Sequence, residues 1–539
     1  MAINNTYPFK LNNFWTIAVA TIALIVAAPI LLIISSIFSP STEIWQHIST
    51  TVLPKYILNS LYLMLGVAVG VSFVGITAAW LVTMTQFPGK RFFEWAHMLP
   101  MAIPAYLLAY IYTNFLQFSG PVQSFIRSFG LKKQDYFFPE IRSIWGAIFI
   151  LTLALYPYVY LLVRSAFLNQ AASPSQAAKC LSANPWRIFF NISLPIARPA
   201  IVTGIAIVLM ETVSDFGTVD YFAIPTFTTG IYRTWFGMGD KMAAMKLAAI
   251  LLLFVLALLG LEHSSRKQHK PARRLSSSKP ITYKLTGFRA VFSLLFNLVA
   301  VTMGFILPFL LIIIMASHNL GSFKTSFWQY ARNSLILASV ASLVIVSLAV
   351  ILAYGLRIKP SKFNQFAAQI ASVGYAVPGT VIAVAIIMTL GYLGQFMQKI
   401  GIGFFFIGTI VSLIYAYTSR FLTVAFRSIL NALTGITKNM DFAAKTLGHS
   451  SGSSLFKIHI PLLKTSIYTA LIIVFVDVVK ELPATLVIRP FNFDTLAIQI
   501  YRLASDERLA ESASAALIIV LVGIIPVILL SRSISNSNN

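Results

Sequence analysis

Long apolar runs separated by short polar breaks dominate this chain. They recur from "FWTIAVATIALIVAAPILLIISSIF" (Phe14–Phe38) to the C-terminal region. About 20 apolar residues in a helix rise far enough to cross a hydrocarbon core of ~30 Å. The pattern predicts twelve such spans, near 14–38, 57–84, 93–116, 144–168, 198–222, 242–262, 288–316, 332–358, 365–397, 404–429, 464–488 and 511–531. The expected fold class is an all-α polytopic membrane protein, because helices satisfy their own backbone hydrogen bonds inside lipid.

Composition agrees with this. The chain is 58% hydrophobic and 10% charged, against roughly 25% charged for an ordinary soluble domain. Its mean hydropathy is +0.80. The net charge of +24 does not require a nucleic-acid partner, because basic residues gather in the loops between spans, as membrane topology favours. Eight lysines and arginines lie between Arg266 and Arg289, in "EHSSRKQHKPARRLSSSKPITYKLTGFR". That bias places the linker and both termini on the cytoplasmic side. The only cysteine is Cys180, so no internal disulfide is possible. The first apolar run is too long for a typical signal peptide and is read as a retained span.

Two copies of one pattern are visible. "NSL" at Asn59–Leu61 recurs at Asn333–Leu335, an offset of 274, and Pro104 falls on Pro378 at the same offset. "AAKCLS" from Ala177 matches "AAKTLG" from Ala443 at an offset of 266, the difference being absorbed by the longer loop "GPVQSFIRSFGLKKQDYFFPE". The expected organisation is a first half over 1–262, a basic linker over 263–287 and a second half over 288–539. With six spans in each, the halves run parallel through the membrane.

The two long inside loops, near 169–197 and 430–463, each read as two short helices around a turn. Asn184 and Pro185 suit an N-cap and first helical position. Gly448 ends a helix, and Ser453–Ser454 could cap the next. A proline, Pro195 or Pro461, precedes re-entry into the membrane. These loops resemble the EAA loop of the inner-membrane permeases of binding-protein-dependent ABC importers: Glu-Ala-Ala, three residues, Gly, nine residues, then Ile-x-Leu-Pro. Ala177, Ala178, Ser182, Ile192 and Pro195 fall on that pattern, as do Ala443, Ala444, Gly448, Ile458 and Pro461. Gln176 and Phe442 stand where the pattern has Glu, and Ser182 where it has Gly. Within the family, "DFGTVDYFAIPTFTTGIYRTWFGMGD" and "KELPATLVIRPFNFDTLAIQIYRLASDERLAE" resemble the ferric-iron permeases most closely, in a fused two-domain arrangement.

The resemblance implies a transport permease of the bacterial inner membrane, not an enzyme. It implies Fe(III) as cargo, delivered by an extracytoplasmic ferric-binding protein. It implies ATP hydrolysis on a separate ATPase dimer that grips the loops at Ala177, Ala178, Ser182, Pro195, Ala443, Ala444, Gly448 and Pro461. Thiamine, phosphonate, sulfate and polyamine permeases share these loops and are alternative substrate readings. A twelve-helix secondary transporter is the rival mechanism, and membrane lipid is the remaining partner. The chain itself carries no nucleotide site of the P-loop kind: around Gly89-Lys90, Met84 and Arg91 stand where Gly and Ser or Thr are needed.

Four acids stand out. Glu211 and Asp215 lie one helical turn apart after an apolar run, and at an offset of 266 they become Asp477 and Glu481. Glu211 falls ~16 Å into its span at 1.5 Å per residue. Acids inside membranes face cavities or partners, and carboxylate oxygens suit a hard cation, so the four are candidates for lining a translocation path. Lys480 beside them offers the alternative of a salt-bridged packing network. No stable metal site is expected, since the seven histidines are scattered. Tyr232, Arg233, Tyr501 and Arg502, in the duplicated external loops, could meet the binding protein or anchor the chain at the interface.

Overall fold

The structure, a computed structural model, describes residues 11–168, 170, 176, 178, 180, 182, 184–267, 282–319, 325–401 and 406–536. Ala177 and most of the basic linker lie outside these. The described residues are nearly all helical; the one strand pairing is the two-residue ladder of Thr85–Gln86 with Tyr283–Lys284.

Among the described residues, nine helices are long and apolar enough to cross a membrane, or up to eleven if each of two bent pairs is one span. The bent pairs are Lys90–Ala102 with Ala105–Ser128, at 91°, and Ser451–Leu462 with Lys464–Lys480, at 78°. They coincide with the third and eleventh expected spans. The tenth expected span coincides with the helix Ile410–Thr434, which is long enough but interrupted by Arg420, Arg427 and several hydroxyls. Among the described residues, length and hydropathy together therefore give up to eleven of the twelve expected spans.

The bend in the third span has a local cause. Pro104 is extended (φ −59°, ψ 145°) and caps Ala105–Leu116, and Ile103 before it is extended as well. Proline disfavours helix in the residue before it, so the chain leaves one helix and restarts another. Pro378 does the same (φ −56°, ψ 143°) ahead of Gly379–Lys399.

Other local conformations recur in the same register. A π-helical turn occupies Phe189–Ser193 and again Leu455–His459, an offset of 266. Helices stop at Asp215 and at Glu481. Asn59 donates to the carbonyl of Pro225 at 2.9 Å, and Asn333 to that of Asp494 at 3.1 Å. The asparagines of the two "NSL" segments thus brace matched loops beyond the matched breaks.

The chain divides into two compact units. One holds the described part of Met1–Pro40, with Ala244–Ala249 and Trp328–Thr495. In it, the helix Leu11–Ser36 packs on Lys362–Ala371 and Gly379–Lys399. Trp15 meets Tyr354 edge-on at 4.9 Å, and Tyr415 donates to the carbonyl of Ile25 at 2.6 Å. Gly355 is small by necessity, since a Cβ there would stand 2.6 Å from Val19.

The other unit holds Ser41–Ala243, Ile250–Phe327 and Leu496–Asn539. Its largest contact joins Leu53–Met84 to Ile144–Leu168. Gly66, Gly70 and Gly75 line one side, facing Ile148, Thr152 and Val159. Small residues let membrane helices approach closely enough for dispersion to hold them. Leu307–His318 and Leu509–Asn536 pack together in this unit.

These units do not follow the sequence repeats. The first helix packs with residues of the second repeat, while Leu307–His318 and the last two helices join the unit built mainly from the first. An apolar helix face gains by burial against any complementary face, and connectivity does not choose which.

Candidate functional site

The second inside loop folds as Lys438–Thr446, a turn, and Ser451–Ser454. Gly448 sits in the turn at φ +77°, the left-handed conformation that ends helices and favours glycine. The next helix is capped by Ser450, whose side chain accepts from the Ser453 amide, one turn earlier than the expected Ser453–Ser454 cap. Ala443 and Pro461 are exposed, whereas Ala444 is buried and serves packing. Phe442, Leu447 and Phe456 are exposed at 61%, 78% and 71%, which gives the loop an apolar outer face.

Asp441 ties this loop down. Its Oδ2 accepts from Arg357, with Nη2 at 2.8 Å and Nε at 2.9 Å, and its Oδ1 accepts from His459 Nε2 at 2.7 Å. Arg357 also donates to the carbonyls of Leu433, Ile436 and Thr437, at and just beyond the C-terminal end of helix Ile410–Thr434. Tyr354 donates to the carbonyl of Ser451 at 2.8 Å. Sequence reasoning missed this clamp, because Arg357 and Asp441 are 84 positions apart.

The first inside loop is described only in part. Ala178 is helical and half-buried, and Ser182 lies in an exposed turn. Ser182 has φ +59°, so the serine adopts the left-handed conformation that Gly448 adopts at the matched position. Asn184 accepts from the Arg187 amide at 3.0 Å with Pro185 next, as the sequence suggests. Pro195 is exposed at the start of Leu194–Ser214.

The four acids separate into two kinds. Asp215 and Glu481 each cap the helix that follows a break. Asp215 Oδ1 accepts from the amides of Thr218 and Val219 at 3.0 and 3.2 Å, Oδ2 accepts from the Thr218 hydroxyl at 3.1 Å, and the Asp215 carbonyl accepts from Thr228. Glu481 Oε1 accepts from the Ala484 amide at 3.1 Å and from Arg420 Nη1 at 2.9 Å. A carboxylate at a helix N-terminus meets open amides and the positive end of the dipole. Glu211 and Asp477, one turn earlier, are half-buried, and Asp477 interacts electrostatically with Lys480.

In the external loops, Tyr501 is half-buried and donates to Asp220 Oδ2 at 2.7 Å. Burial first, then the Asp220 charge, hold its phenol well above the usual tyrosine range. Tyr232 is half-buried against Phe216, whereas Arg233 and Arg502 are exposed. Among the described residues no group of three His, Cys, Asp or Glu side chains is placed to hold a metal.

Comparison with known proteins bears on these features together. Residues 71–262 match the family described as the binding-protein-dependent transport system inner membrane component. The full chain is 26% identical over 488 residues, 88% of its length, to the Fe(3+)-transport system permease protein FbpB 2 of Haemophilus influenzae, of which it covers 89%.

Along most of its length, then, the chain is similar to a transport permease.

The permease-like chain is also 24% identical, over 86% of its length and 74% of the relative, to the putative ferric transport system permease protein FbpB 1 of the same organism. Over 37% of its length it is 28% identical to the molybdenum transport system permease protein ModB of Escherichia coli, covering 88% of that protein. These relatives are transport permeases, which agrees with reading this multi-pass, inner-membrane chain as a transporter.

Proposed function

We propose that this permease-like chain is the membrane subunit of an ABC importer that moves Fe(III), handed over by an extracytoplasmic binding protein, at the cost of ATP hydrolysed on a separate ATPase dimer. The observation that carries this reading is the likeness to an Fe(3+) permease along 88% of the chain. In this reading the repeats 1–262 and 288–539 are the two permease halves, joined by the cytoplasmic linker, with both termini inside.

The turns at Ser182 and Gly448, with Ala177, Ala178, Ala443, Ala444, Pro195 and Pro461 around them, present the loops to the ATPases. The exposed Phe442, Leu447 and Phe456 favour an apolar groove as the acceptor. Glu211 and Asp477 line the path. Asp215 and Glu481 set the helix breaks beside it, which favours a structural part for that pair. Tyr232, Arg233 and Arg502 meet the binding protein.

Likeness to a molybdenum permease over a third of the chain supports a second reading, an oxyanion importer. Proteoliposomes holding the chain with its ATPase and binding protein discriminate. ATP-dependent uptake of iron-55 and indifference to molybdate are expected. Uptake of molybdate instead overturns the iron assignment, and uptake driven by an ion gradient without ATP overturns the importer class.

A further inference from the structure

In the compact unit that contains Ser41–Ala243 and Leu496–Asn539, phenol and carboxylate oxygens gather beyond the helix break at Asp215. Asp220, on the short helix Gly217–Tyr221, accepts from Tyr501 at 2.7 Å. Tyr110, on Ala105–Leu116, is fully buried, and its hydroxyl has no hydrogen-bond partner among the described residues. That hydroxyl is within electrostatic reach of Tyr106, Tyr501, Asp215 and Asp220. The Tyr110 ring packs at 5.7 Å from Tyr106 and edge-on at 4.5 Å from Tyr221.

Buried hydroxyls are nearly always paired, because desolvating one without a partner is costly. A Phe at position 110 would fill the same space without that cost. The unpaired phenol therefore points to a ligand present for part of the working cycle. Asp215 is spent on its cap, and the site is drawn from Tyr110 with the hydrogen-bonded pair Tyr501 and Asp220.

We infer that Tyr110, Tyr501 and Asp220 form a hard-oxygen site that holds a ferric ion in passage. This rests on the iron reading above and assigns the residues that would recognise the cargo. Phenolate and carboxylate oxygens are hard donors matched to a small trivalent cation. The ion takes the place of the proton shared between Tyr501 and Asp220, and each phenol that ligates releases its proton to water. Arg233, whose Nη2 lies 4.0 Å from Asp220 Oδ1 and whose side chain is 50% exposed, can turn to solvent as the ion arrives.

The donor set is not duplicated. At the matched positions the second repeat has Val384 for Tyr110, Thr380 for Tyr106 and Leu486 for Asp220. Tyr501, although it belongs to the second repeat, is delivered into this unit by the helix Leu496–Ser505. One ion is therefore held in a single site rather than in two related ones.

The test uses the full chain with its ATPase and binding protein in lipid nanodiscs, titrated with ferric citrate. A phenolate-to-iron charge-transfer band in the visible is expected for the unmodified chain. It should be lost in the Tyr110→Phe/Tyr501→Phe double variant, and Asp220→Asn should weaken binding at least tenfold. Iron-55 uptake is measured in parallel, with a melting curve for each variant. Should the double variant melt lower, the two single Phe variants, which keep ring packing, decide the matter on the folded fraction. No band in the unmodified chain, or a band and uptake unchanged by the Phe substitutions, overturns the site while leaving iron transport standing. Absence of iron uptake by the unmodified complex overturns both.

Discussion

Arg420 donates through Nη1 to Oε1 of Glu481 at 2.9 Å, with 12% and 5% of the two side chains exposed. The pair sits directly on Gly379. A Cβ at that glycine would clash with Arg420 Nη1, and would stand 2.7 Å from Glu481 Oε1 and 3.3 Å from Pro483. At the matched positions of the first repeat, Arg420 becomes Ala154 and Gly379 becomes Ala105. The arginine and the room for it are thus present together in one repeat and absent together in the other. Asp215, without such a partner, relies on Thr218 and two amides instead.

Gly379→Ala should therefore destabilise by about 1–3 kcal/mol, the usual cost of overpacking. Arg420→Met should cost more, roughly 3–5 kcal/mol, because it leaves Glu481 buried without its cation. Ala154→Ser, at the matched place, should change little. Thermal unfolding of the purified chain in one detergent checks the order. Equal melting of Arg420→Met and the unmodified chain would show that the ion pair contributes nothing net.

The Asp441 clamp carries a second expectation. Asp441→Asn keeps the shape but removes the charge that Arg357 and His459 share. Charge-assisted hydrogen bonds contribute about 1.5–3 kcal/mol. The amides of Lys438–Thr446 should exchange with solvent faster by that margin, and transport per ATP should fall. Hydrogen exchange with mass readout measures the first and reconstituted uptake the second. Unchanged exchange over this helix would remove the clamp's claimed role.

Ser182 and Gly448 test the turn conformation. A left-handed residue other than glycine costs roughly 1–2 kcal/mol, so Ser182→Gly should firm the first loop and Gly448→Ala should loosen the second. Gly448→Asp, which adds a charge to the exposed turn, should uncouple ATPase activity from transport with little change in melting. Full coupling in that variant would count against the loop as an ATPase contact.

Much of the spanning pattern was legible because apolar runs of this length have few other uses. The repeat was legible too, since "NSL", the prolines and the loop motif keep their offsets, and the bonds of Asn59 and Asn333 follow the same register. What could not be read was partnership across distance. Arg420 is 61 positions from Glu481, and nothing local marks it, so neighbouring Lys480 stood as the obvious cation. Ser450 was missed as a cap because Ser453 and Ser454 offer the same chemistry one turn away. The exchange of terminal helices between compact units has no sequence signal, because lipid-length apolar faces are nearly interchangeable in composition. Tyr110 was missed since a tyrosine in an aromatic-rich span reads as packing until its hydroxyl is seen to lack a partner.

Glu211 and Asp477 give the last prediction. Both precede a capping acid by one turn, and both are half-buried. Neither is the acid that sets the helix break, so removing its charge should leave the break intact. Glu211→Gln and Asp477→Asn should therefore fold, with Asp477→Asn weakening the interaction with Lys480. If they line the path, iron-55 uptake should fall about tenfold in each single variant, which corresponds to ~1.4 kcal/mol of lost interaction with the moving ion. The double variant should fall further, because the same ion passes both. Melting curves beside uptake separate this from a packing role, in which stability drops and uptake per folded molecule stays level. Normal uptake in the double variant would remove these two acids from the path and leave the oxygen cluster around Tyr110 as the place where cargo is recognised.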